Sequence, residues 1–145
     1  MSSVLEVKDK VQRILTKKLG SVQIDKDGDM FVRHESAVTF IIVNQFGDDR
    51  TIVTVRTPLI RNVPITPELT RWVAIDGQRY PLGSCYLNPN RDEETGWLYL
   101  QYDLIGDDLD EGEIVPAVFG LTALANELDN MLRSRFGGEL FGPED

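Results

Sequence analysis

The chain has 145 residues, 41% of them hydrophobic, and a net charge of −9 from 15 basic and 24 acidic side chains. That length fits one domain, and that apolar content excludes global disorder. Residues 1–100 hold 13 basic and 13 acidic side chains, whereas residues 101–145 hold 11 acids against Arg133 and Arg135, a balance that argues against general nucleic-acid binding.

Val4, Val7, Val11, Ile14, Leu15 and Leu19 recur at helical spacing, which predicts an amphipathic helix over 4–19. Gly20 supplies a stop, and Lys17 and Lys18 suit the last turn. Lys8, Lys10, Arg13, Lys17 and Lys18 read as a solvated face interrupted by Glu6 and Asp9. Two short strands, Val22–Asp25 and Asp29–Arg33, flank an Asp-Lys-Asp-Gly turn.

The hairpin Thr39–Thr57 is the most informative element. Closing it symmetrically about Phe46-Gly47-Asp48-Asp49 places Phe40, Ile42, Val53 and Val55 on one face. Ile41, Val43 and Ile52 fall on the other, among Thr39, Gln45, Thr54 and Arg56. A strand with one wet side shows polar residues there, so both faces of this hairpin are expected to be covered, the second by the chain's own helix in a three-layer core, by a twin subunit or by a client peptide. Pro58, Pro64 and Pro67 then break the pattern. Thr66 and Pro67 open a short helix with Leu69, Trp72 and Val73 on its apolar side, closed by Gly77.

Tyr80–Asn88 reads as a strand, Asn88–Glu94 as a polar turn, and Gly96–Leu104 as a strand by strict alternation. Leu98, Leu100, Tyr102 and Leu104 point one way; Trp97, Tyr99 and Gln101 point the other. After an acidic loop, Gly106–Glu113, a long helix is expected from about Ile114 to Phe136. Its stripe comprises Val118, Leu121, Leu124, Ala125, Leu128, Met131 and Leu132. The domain is therefore 1–138, with 139–145 an acidic tail.

No catalytic signature emerges. Asp25-Lys26-Asp27-Gly28-Asp29 resembles the start of a calcium loop, but the sixth and twelfth positions hold Met30 and Ser36 instead of Gly and Glu. A hairpin turn is the better reading. Asp107, Asp108, Asp110, Glu111 and Glu113 read as a solvated, helix-capping run. His34 is the only histidine, which excludes a multi-histidine metal site. Cys85 and His34 are the one nucleophile–base combination available, and Cys85 reads as a packed strand residue. A lone cysteine forms no intrachain disulfide and fits a reducing, cytoplasmic setting. No apolar run reaches the ~18 residues of a membrane helix, and Met1–Glu6 lacks the layout of a signal peptide. Neither metal, cofactor nor membrane is expected.

What remains is a surface. Ile41, Val43, Ile52, Trp97 and Tyr99 lie on the second faces of expected strands, and contiguous apolar patches mark interaction sites. The succession Val4–Leu19, Val22–Arg33 with Thr39–Thr57, Thr66–Asp76, Cys85–Asn88 with Gly96–Leu104, and Ile114–Phe136 resembles the type III secretion chaperone-like fold, in its YbjN-like branch of small bacterial proteins. The resemblance implies an α+β domain, a twisted antiparallel sheet flanked by about three helices. It also implies frequent homodimers, a protein or peptide client held against apolar patches, and no catalytic residues. Acidic residues 103–113 are expected to steer a basic client. The alternative is a regulatory domain sensing a small ligand in a pocket between helix and sheet.

Overall fold

A computed structural model describes residues 3–141. Three helices and seven strands alternate as α1 (Val4–Leu19), β1 (Gln23–Ile24), β2 (Met30–His34), β3 (Ala37–Phe46), β4 (Arg50–Pro64), α2 (Pro67–Ile75), β5 (Ser84–Pro89), β6 (Thr95–Ile105), α3 (Glu111–Phe136) and β7 (Glu139–Leu140). The strands form one antiparallel sheet in the order β1-β2-β3-β4-β6-β5, with β7 paired to the far half of β4.

Local chemistry sets the helix limits. Ser3 Oγ accepts from Glu6 N at 3.1 Å while Glu6 Oε1 accepts from Ser3 N at 3.3 Å, a reciprocal pair that satisfies two of the free donors at the start of α1. Thr66 Oγ1 accepts from Leu69 N at 3.1 Å at the start of α2. Helix α3 begins earlier than its apolar stripe suggests, because Asp110 caps it and Glu113 Oε1 accepts from Asp110 N at 3.2 Å. The end of the acidic run is thus the first turn of α3, where carboxylates meet the positive helix end. Pro116 lies early in that helix.

Three strand expectations change, one being the strand expected over Tyr80–Asn88, which begins only at Ser84. Strand β4 does not stop at Thr57 but continues through Pro58 to Pro64. Pro58 donates no hydrogen bond, and the register slips between Pro58 and Ile60 and again before Val63, so bulges absorb it. Residues Glu139 and Leu140, the first of the expected tail, pair with Arg61 and Ile60.

The hairpin register is the consequential difference. Phe46 pairs with Arg50, leaving a three-residue loop, Gly47-Asp48-Asp49, with Gly47 at φ 71°. An odd loop shifts pairing by one residue relative to the four-residue turn expected, and a one-residue shift exchanges faces. Ile41 therefore opposes Val55, and Val43 opposes Val53. All four are buried in the core together with Leu98, Leu100 and Cys85.

All three helices pack on this same face. Val7, Val11 and Leu15 of α1, Leu69 and Trp72 of α2, and Ile114, Val118, Leu121, Ala125, Leu128 and Leu132 of α3 join one cluster with those strand residues. Helix α3 lies across β3, β4 and β6. A buried hydroxyl chain fixes it there. Thr39 Oγ1 lies 2.8 Å from Thr57 Oγ1 and 2.6 Å from Thr122 Oγ1, which donates to Val118 O at 2.6 Å. Near its far end, Ser36 Oγ donates to the buried Asp129 carboxylate at 2.6 Å. The molecule is two layers, with helices on one side of the sheet only.

Candidate protein-binding surface

The register decides which side chains share the uncovered face. Phe40 and Ile42 of β3 stand there with Ile52, Thr54 and Arg56 of β4, since Phe40 opposes Arg56 and Ile42 opposes Thr54. Across β4 and β6, Ile52 opposes Ile105, Thr54 opposes Asp103, Arg56 opposes Gln101, and Pro58 opposes Tyr99. Tyr86 of β5 lies beside Tyr99, and Trp97 is opposite Asn88.

Of the five residues singled out from the sequence, Ile52, Trp97 and Tyr99 come together on this face. Ile41 and Val43 do not: at 0% and 4% exposure they belong to the core beneath the helices. That corrects their assignment, and its cause is the three-residue loop. The residues that take their place, Phe40 and Ile42, are visible in the sequence once the parity is right. Tyr86 and Ile105, exposed by 41% and 46%, extend the patch.

The face has distinct parts. At one end, Tyr86 stacks on Tyr99 with ring centroids 5.6 Å apart, and Trp97 lies 4.3 Å from Tyr99. Across the middle runs a polar waist. Arg56 Nε donates to Gln101 Oε1 at 2.8 Å, Gln101 Nε2 donates to Asp103 Oδ2 at 3.2 Å, and Thr54 Oγ1 donates to Asp103 Oδ1 at 2.6 Å. The Arg56 guanidinium rests 5.1 Å above the Tyr99 ring. Ile42, Ile52 and Ile105 continue the apolar surface on the other side of the waist, and Phe31 and Phe40 meet at 5.8 Å toward the β2 edge.

A groove of about 670 Å³ lies between β2 and α3 at the edge of the sheet, and Phe31 and Arg33 reach it from the bare-face side. Leu19, Val32, Val118, Ala123 and Phe119 line it, and Phe119 is 51% exposed. Sequence reasoning anticipated a helix–sheet pocket only as a general alternative, because Phe119 lies off the core stripe of α3.

The other candidates resolve as structure. Asp25 Oδ1 accepts from Asp27 N and Asp29 N, each at 2.9 Å, which makes a side-chain-braced turn. Among the described residues, no three His, Cys, Asp or Glu side chains converge as a metal site, and no helix is long and apolar enough to cross a membrane. His34 is exposed on β2 and Cys85 is buried on β5. With β3, β4 and β6 between them, they stand on the order of 19 Å apart, too far to act as nucleophile and base.

Burial pushes the Cys85 thiol up from 9.0 to about 12. The folded state thus favours the neutral thiol. Its contribution to stability is full below pH 9 and is lost as the pH rises toward about 12. We expect the native protein to resist Ellman's reagent at pH 8 and to react promptly in urea. Rapid labelling of the native chain would contradict this burial.

Three comparisons bear on this geometry. The family model of the T3SS (YopN, CesT) and YbjN peptide-binding chaperone 1 matches residues 6–144. No curated protein sequence matches significantly. Among solved structures, the chain is similar to the Yersinia pestis type III secretion chaperone SycH, crystallised in complex with a stable fragment of YscM2. The TM-score is 0.54 at 13% identity, over 81% of this chain and 96% of that one.

Proposed function

Because the chain belongs to the T3SS (YopN, CesT) and YbjN peptide-binding chaperone 1 family, we propose that its bare sheet face is a non-enzymatic seat for protein, taking an extended client segment and, without client, a second copy of the chain. The observation that carries this reading is the one-sided placement of the helices. It leaves Ile52, Trp97 and Tyr99, with Phe40, Ile42 and Tyr86, outside the single core cluster. Burying three such side chains contributes on the order of 5 kcal/mol before association costs. That amount supports a reversible complex rather than a permanent one.

Size-exclusion chromatography with light scattering tests the homodimer. Wild type is expected at twice the 16.4 kDa chain mass, and the Trp97→Ala/Ile52→Ser variant at the single-chain mass. A wild-type monomer, or a variant that dimerises equally well, would sink this part of the proposal. The groove between β2 and α3 favours a second reading, a small-ligand sensor. A thermal-shift screen separates the two: a metabolite that raises Tm in wild type but not in Phe119→Ala supports the sensor.

A further inference from the structure

We infer that the client segment of this face carries a carboxylate flanked by apolar residues, and that Arg56 is its anchor; this rests on the sheet-face reading above. Three features of Arg56 support it. Its aliphatic stem and guanidinium lie half-buried on an apolar sheet, over the Tyr99 ring at 5.1 Å. Its Nε is consumed by Gln101 Oε1 at 2.8 Å, and the Gln101 amide is itself oriented by donating to Asp103. No carboxylate among the described residues lies within ion-pair distance of Arg56; Asp29, just before β2, acts on its charge only at longer range, so its two terminal amino groups make no direct ion pair. A guanidinium held by Nε and by a ring face presents its outer edge in a fixed plane, the arrangement that grips a carboxylate through two parallel bonds.

Arg33 repeats the theme at the β2 side, 5.5 Å over Phe31. The face therefore sets two arginines on aromatic rings against Asp103, whose carboxylate is already engaged by Thr54 and Gln101, with Asp29 near enough to Arg56 to interact at longer range. This is opposite in sign to the net charge of the chain, and to the basic client expected from residues 103–113. Asp103 also limits the choice: an acidic run would meet it, whereas one carboxylate placed over Arg56 would not.

Arginine and aromatic rings on an antiparallel sheet also suit stacked single-stranded nucleic acid. A chain of net charge −9, whose basic face on α1 lies on the other side of the sheet, repels a polyanion here, so a peptide is favoured.

The test uses the full chain and fluorescein-labelled peptides in which Leu, Ile, Phe or Trp alternates with Ser or Thr. Each peptide is made with Glu, Gln or Lys at the central polar position. Fluorescence anisotropy is read at low and high salt, with a single-stranded oligonucleotide as the competing probe. The Glu peptides should bind about tenfold more tightly than the Lys peptides, with Gln between. Arg56→Gln should erase that order, bringing the Glu and Lys peptides within about twofold of each other. Equal affinity for Glu and Lys peptides would overturn the inference and leave the sheet-face reading standing. Failure of every peptide to bind would overturn both. Tighter binding of the oligonucleotide than of any peptide would replace the peptide with nucleic acid.

Discussion

Serine in place of Ile41 should lower the unfolding free energy by about 3–5 kcal/mol, whereas the same change at Ile52 should lower it by less than about 1.5 kcal/mol. The two isoleucines sit on paired strands of one hairpin, yet they belong to different environments. Ile41 is fully buried opposite Val55, beneath the helices. Serine there empties the space of a large side chain and strands a hydroxyl in an apolar setting. Ile52 stands on the uncovered face, beside Ile105, where serine meets water and keeps its hydrogen bonds. Urea unfolding followed by far-UV circular dichroism measures both. Losses of equal size would mean that the register, and with it the identity of the free face, is wrong.

That contrast also shows what could be read from the residues alone. The alternation in β6 is internal to one strand, so Leu98 and Leu100 were separable from Trp97 and Tyr99 without knowing any partner. The hairpin needed one further quantity, the parity of its loop, which composition does not carry: Phe46-Gly47-Asp48-Asp49 supports a turn of either parity. A single residue of loop length moved Ile41 and Val43 into the core and brought Phe40 and Ile42 out.

Proline misled in a similar way. Pro58 and Pro64 break strands by default, but β4 carries Pro58 at a bulge, where a missing donor is harmless. The apolar stripe of α3 does not extend over its polar first turn, Glu111–Glu113, which capping rather than burial creates. In the sequence Arg56 is only a polar neighbour of the apolar row. Its position over Tyr99 depends on the pairing of β4 with β6, and the sequence spacing of the two does not reveal it.

The second large effect concerns binding. Trp97 contacts Tyr99 at 4.3 Å and completes the aromatic end of the face with Tyr86. Tryptophan and tyrosine rings are enriched among the residues that carry a disproportionate share of binding energy. Truncating one to alanine commonly costs about 2 kcal/mol or more, close to a thirtyfold loss of affinity. Trp97→Ala should therefore weaken the tightest Glu-containing peptide by about thirtyfold or more, with an unchanged far-UV spectrum, because Trp97 lies outside the core cluster. Phe119, the exposed ring of the groove between β2 and α3, serves as the internal comparison. It is similarly large and lies on the other side of the sheet.

The affinity of one labelled peptide for wild type, Trp97→Ala and Phe119→Ala, taken side by side, is the most direct test of where this protein holds its client. A loss of about thirtyfold at Trp97 with less than about twofold at Phe119 is the result expected of a client seated on the bare face of the sheet. Retained affinity at Trp97 with the loss transferred to Phe119 would contradict that placement and put the client in the groove between β2 and α3.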